Sequence, residues 1–121
     1  MTAEELLTRA DEAAANAYAP YSEYHVGAAV LARDGRVFAG ANVENAAYPL
    51  GICAERSAIA MAASGGLRPG DVEAIAITAS PCGGCRQWLH ELGLERVTYA
   101  RADGELVTTT PADLLPDTFE L

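Results

Sequence analysis

The sequence predicts an α/β fold, a three-layer sandwich in which a mixed five-stranded sheet carries helices on both faces. Three observations predict it. Helical and strand patterns follow in the order helix, strand, strand, helix, strand, helix, strand, strand, helix. Asp34-Gly35 and Asp103-Gly104 each mark a tight turn between two strand patterns. The segment from Val72 to Thr78 is short and mostly apolar, as a central strand covered on both faces is. No repeat, low-complexity stretch or linker divides the 121 residues, so 1–121 is expected to form a single domain.

The elements follow in order. Thr2 with Glu5 fits a capping box, and Leu6, Leu7, Ala10, Ala13, Ala14 and Ala17 recur at helical spacing. A helix is therefore expected from Thr2 to about Tyr18, ended by Pro20. "HVGAAVLA" and "RVFAGANV" read as two strands of a hairpin spanning Tyr24 to Val43. "YPLGI" reads as loop. Cys53 to Ala63 reads as a helix closed by Ser64-Gly65-Gly66. After the Val72–Thr78 strand, Cys82 to Leu92 reads as a helix stopped by Gly93. "RVTYA" and "ELVTT" are strands, and Thr110-Pro111 starts a short helix through Leu115. The strand-helix-strand crossovers around Cys53 and Cys82 should make parallel, right-handed connections.

Charge narrows the function. The net charge is −9, and the basic residues are eight scattered arginines with no lysine. A binder that takes its affinity from nucleic-acid phosphates needs clustered cations, so nucleic acid is not an expected partner. No run approaches the ~20 apolar residues of a membrane span, so no membrane is expected either. "MTAEELLTRADE" lacks the basic and apolar regions of a signal peptide, and a cytoplasmic location is expected.

The three cysteines, Cys53, Cys82 and Cys85, cannot all pair within one chain, which points to metal binding or catalysis. Both cysteine stretches fall at expected helix starts. There the unpaired amides and the positive end of the helix dipole favour thiolate, the metal-binding form. Cys82 and Cys85 are three residues apart and can face one point, with Cys53 supplying a third ligand from a neighbouring helix. No fourth ligand is evident. His25 precedes an apolar strand and His90 lies five residues beyond Cys85; isolated histidines of this kind are ordinarily surface or satisfied core residues. Three ligands leave an open tetrahedral position, which means a bound water and catalysis rather than a closed structural site. Glu55, two residues from Cys53, is the carboxylate placed to take that water's proton. In isolation it would read only as a first-turn acid complementing the helix dipole. Zinc with three thiolates has a formal charge of −1, poor for activating water. Arg56 and Arg86 adjoin the cysteines and can soften that charge by hydrogen bonding to a thiolate.

Cys53-Ala54-Glu55 and Pro81-Cys82-Gly83-Gly84-Cys85 match the Cys-x-Glu…Pro-Cys-x-x-Cys signature of zinc deaminases. With "AYAPYSEYHVGAAV", "GANVENAAYP", "CAERSAI", "PCGGCRQ" and the terminal "LLPDTF", in that order and nearly end to end, the chain resembles the cytidine deaminases. The resemblance implies one zinc per subunit and hydrolytic conversion of cytidine or deoxycytidine to uridine or deoxyuridine and ammonia, a step of pyrimidine salvage. Water activated at the zinc would attack C4 of the pyrimidine, with Glu55 carrying protons to ring N3 and the departing ammonia. Ala54 and Ser80 would contact the base edge. Asn42 and Glu44 match the family's sugar-binding pair; alone they would read as an ordinary polar strand end. Tyr24 stands where relatives usually have a Phe packed on the base, and Val26 would line the same pocket. Tyr48 and Phe119 match aromatic positions that relatives use across subunits. The short chain with Cys as first ligand resembles the homotetrameric branch, so a homotetramer with sites at interfaces is implied.

One departure is visible. "AIAITAS" runs straight into Pro81, where relatives usually have several more residues. Two other readings stand beside the nucleoside deaminase: a deaminase of another cytosine-bearing small molecule such as a blasticidin-type antibiotic, and a noncatalytic zinc-stabilised binding module.

Overall fold

The computed structural model describes residues 1–121. Its first hairpin pairs β1 (Gly27–Ala32) with β2 (Val37–Ala41) in antiparallel register, Ala29 opposite Ala39. Gly35 closes the turn at φ 94°, a conformation that side-chain-bearing residues rarely adopt. From β2 the chain crosses through α2 (Ala54–Ser64) to β3 (Val72–Ile77), which pairs antiparallel with the other edge of β1. A second crossover through α3 (Gly83–Leu92) places β4 (Arg96–Ala100) parallel to β3. β5 (Leu106–Thr109) returns antiparallel, and α4 (Pro111–Leu114) follows. The sheet order is β2-β1-β3-β4-β5, so the mixed five-stranded sheet and the central place of β3 are as expected.

Burial on both faces explains why β1 and most of β3 have no polar alternation. Ala28, Val30, Ile75, Ile77 and Val97 pack on one face with Ala58, Ile59 and Ala62 of α2 and Leu89 and Leu92 of α3. Ala29, Leu31, Ala74 and Ala76 meet Leu6 and Ala10 of α1 (Ala3–Ala14) on the other. The alanines on that second face let α1 lie close to the sheet. A Cβ at Gly27 would sit 1.8 Å from the Ala10 carbonyl oxygen, so any side chain there would drive α1 off.

α1 carries the expected capping box, with Thr2 Oγ1 accepting from Glu5 N–H and Glu5 accepting from Thr2 N–H. It stops at Ala14, earlier than the periodicity predicts. The residues beyond are taken by tertiary pairing: Tyr18 N–H donates to the Asn42 carbonyl and Tyr18 bridges Val43 in parallel. "YPLGI" contains one short 3₁₀ turn over Tyr48–Leu50. No helix is long and apolar enough to cross a membrane.

Candidate active site

The site forms at the carboxyl end of β3, where the chain turns through Ser80 and Pro81 into α3, beside the start of α2. Cys53 is the N-cap of α2 and Cys82 the N-cap of α3. An N-cap side chain normally accepts a backbone N–H. The Cys53 sulfur makes no such bond, whereas the Cys82 sulfur is approached by the Gly84 and Cys85 amides at the start of α3. Cys85, one turn into α3, is fully buried.

The three Sγ atoms lie within 4.8 Å of one another, and Cys82 Sγ is 3.4 Å from Cys85 Sγ. Tetrahedral zinc with Zn–S bonds of about 2.3 Å separates its sulfurs by about 3.8 Å, so the donor set has the size and chemistry for one zinc. Burial raises the Cys53 and Cys85 thiols; the Cys82 and Glu55 charges push Cys53 further up, and the Glu55 charge does the same to Cys85. At Cys82 burial also opposes ionisation, but hydrogen bonds from the Cys85 and Gly84 backbone and the neighbouring thiols outweigh it and lower its pKa. Arg56 adds a second mark of fit. Its guanidinium neighbours Cys85, Cys53 and Cys82, and its buried Nε has no hydrogen-bond partner. An orphaned cationic donor beside three thiols is what metal-bound thiolates would satisfy. A Cβ at Gly84 would stand 2.4 Å from Arg56 Nη2, so a side chain there would push the guanidinium away from its place beside the thiols.

Glu55 is only 4% exposed, and burial raises its pKa, partly offset by hydrogen bonds from its own backbone and Cys85 and by the Arg56 charge. A carboxyl that shifts readily between protonated and ionised forms suits proton transfer.

Arg86 lies elsewhere than sequence reasoning implied. Its Nε donates to the Pro81 carbonyl at 3.0 Å and its Nη1 to the Leu114 carbonyl at 2.9 Å. It ties the loop before Cys82 to α4, and its partners are carbonyl oxygens rather than thiols.

A cavity of about 500 Å³ opens beside Cys53. Its walls are Tyr21, Ser22, Asn42, Val43, Glu44, Asn45, Tyr48, Gly51, Ile52 and Cys53. Asn42 Oδ1 accepts from Val26 N–H at 2.8 Å and its Nδ2 donates to the Tyr24 carbonyl at 2.8 Å. Glu44 accepts from Tyr21 N–H, Ser22 N–H and the Ser22 hydroxyl, contacts that hold its carboxylate below the usual range. The structure thus brings Asn42, Glu44, Tyr48 and Cys53 to one cavity. Tyr24, Val26, Ala54, Ser80 and Phe119 are outside its walls within a single chain. Ala54 is buried, Val26 packs against the core, and Ser80 is exposed. Tyr24 and Phe119 are 60% and 70% exposed. The Phe119 carbonyl accepts from Gln87 Nε2, and Glu120 meets His90 Nε2 at 3.1 Å, so the tail is fastened to α3 with the Phe119 ring outward. Sequence reasoning missed Tyr21 and Ser22, whose only signal was their place in "APYSEYHVG".

Comparison with known proteins agrees with this geometry. The family model described as "Cytidine and deoxycytidylate deaminase zinc-binding region" matches residues 1–101. A cytidine deaminase of Sporosarcina psychrophila is 42% identical, over 98% of this chain and 92% of its own length. One of Halalkalibacterium halodurans is 44% identical, over 94% of this chain and 91% of its own. The crystal structure of cytidine deaminase from Burkholderia pseudomallei superposes with a TM-score of 0.92 at 46% identity, covering 98% of this chain and 100% of that one.

Proposed function

As this chain belongs to the cytidine deaminase family, we propose that it is an enzyme that hydrolyses cytidine and deoxycytidine to uridine and deoxyuridine, releasing ammonia. The observation that carries the reading is the open set of three thiols, Cys53, Cys82 and Cys85, with buried Glu55 beside it. A noncatalytic zinc fold would be expected to close its metal with a fourth protein ligand. When bound, one zinc supplies a Lewis acid that acidifies water at the remaining coordination position.

The chain's own residues do the rest. Arg56 hydrogen-bonds toward the thiolates and offsets their negative charge. Glu55 takes one proton of the attacking water and passes it to ring N3, then takes the proton of the new C4 hydroxyl and gives it to the amino group as ammonia leaves C4. The Ala54 and Ser80 backbone hold the polar edge of the base, with Tyr24 and Val26 against its faces. Asn42 and Glu44 hold the sugar. Asn42 retains one amide hydrogen and one carbonyl lone pair beyond its two backbone bonds, so it can both donate to and accept from ribose hydroxyls. Residues 1–121 act as a single catalytic domain on one continuous sheet.

The assembly we infer is a homotetramer. Tyr21, Tyr24, Tyr48, Leu50, Ile52 and Phe119 are each at least 43% exposed, an apolar set around and beyond the cavity suited to cover by other copies. In that assembly Tyr48 and Phe119 serve a neighbour's site. The cellular compartment we propose is the cytoplasm. The test of function is the ultraviolet spectrum of cytidine incubated with zinc-loaded protein. Conversion to the uridine spectrum is expected; intact cytidine, with zinc bound and the protein folded, would overturn the reading.

A further inference from the structure

We propose that Ser22 is a positioning residue for the sugar end of the cavity: its hydroxyl fixes the Glu44 carboxylate so that a single acceptor direction faces the substrate. The inference rests on the nucleoside reading of the cavity.

Three observations carry it. The Ser22 hydroxyl donates to Glu44 Oε2, while Oε1 takes both the Tyr21 and the Ser22 N–H. A carboxylate offers about four lone-pair directions, so these three donors leave one, on Oε2. The same Ser22 Oγ accepts the Tyr24 N–H at 3.0 Å, so one side chain links the carboxylate to the turn carrying Tyr21 and Tyr24. Between Ser22 and Tyr24 stands Glu23, a non-glycine residue at φ 59°. Such a backbone persists where its surroundings hold it, and it clusters at functional sites. Here the holding contacts are the Ser22 bonds and the Glu23 N–H donated to the Ala19 carbonyl at 2.9 Å. Tyr21 in turn meets the Tyr48 ring edge-on at 6.3 Å, closing the wall beside Glu44. An ionised, single-rotamer carboxylate pre-set to accept one sugar hydroxyl loses little freedom on binding.

The role differs from catalysis, since Ser22 reaches substrate only through Glu44. Its loss should therefore act on binding. Ser22 is exposed and Ser22→Ala keeps both backbone donors to Glu44, so the fold should persist. In Ser22→Ala, KM for cytidine is expected to rise about tenfold with kcat within about twofold of wild type, because a Glu44 carboxylate freed from its Ser22 bond must be ordered again when the sugar binds. Zinc content should not change. Carbon-13 titration of the Glu44 carboxyl should show its pKa higher in Ser22→Ala and restored in Ser22→Thr, which keeps the hydroxyl. The other titratable groups facing Glu44, namely His25, Tyr21, Tyr48 and Cys53, are common to all three proteins. An unchanged Glu44 titration in Ser22→Ala would overturn the inference, as would an unchanged KM. The titration needs no substrate, so it judges Ser22 by itself, whereas cytidine turnover by the wild-type protein judges the nucleoside reading.

Discussion

Glu55→Gln is expected to leave the fold and the bound zinc intact while lowering cytidine turnover by at least about 10³-fold. Glutamine fills the same buried volume and keeps an acceptor oxygen beside Cys85 and Arg56. It cannot take a proton and return it. The reaction needs that group more than once, because the water gives up both its protons, the first going to N3 and the second, from the new C4 hydroxyl, to the leaving ammonia. A single buried carboxyl, raised toward neutrality by its surroundings, is the only acid of the chain buried beside the thiols. The check is kcat/KM of the zinc-loaded variant beside its metal content. Wild-type turnover in Glu55→Gln would remove Glu55 from the proton path.

Cys82→Ala is expected to lose stoichiometric zinc and with it all but a trace of activity. Removal of Cys82 leaves two of the three converging sulfurs, too few ligands for a stable tetrahedral site. The variant should also melt at lower temperature than the zinc-loaded wild type, because a metal that binds only the folded chain stabilises it. Elemental analysis after desalting decides it. One zinc per chain retained in Cys82→Ala would mean that another residue completes the site.

The sequence carried the architecture because its signals were local. The capping box at Thr2 and Glu5, the Asp-Gly turns and the glycine after Leu92 each act over a few residues, and each formed as expected. The cysteine spacing was legible for a similar reason. A pair three apart at a helix start can face one point, and the crossover through β3 brings the start of α2 alongside. What was hidden depends on distant backbone. The early end of α1 follows from Tyr18 pairing with Asn42 and Val43, some two dozen residues away. Arg86 reads as a neighbour of the thiols, yet the carbonyl of Leu114 draws it toward α4. Asn42 and Glu44 were found by resemblance to a motif, but that their first partners are the protein's own N–H and C=O groups was not visible. Ser22 carried no signal of its own, since its role arises only when the 19–24 turn folds against Glu44.

The most direct test of the central claim is to incubate cytidine with the zinc-loaded protein in ¹⁸O-labelled water. Hydrolytic deamination predicts one ammonia released for each uridine formed, with a single labelled oxygen at C4 and none in the sugar. Uridine without the label, or label without ammonia, would contradict water attack at C4 under the control of Glu55.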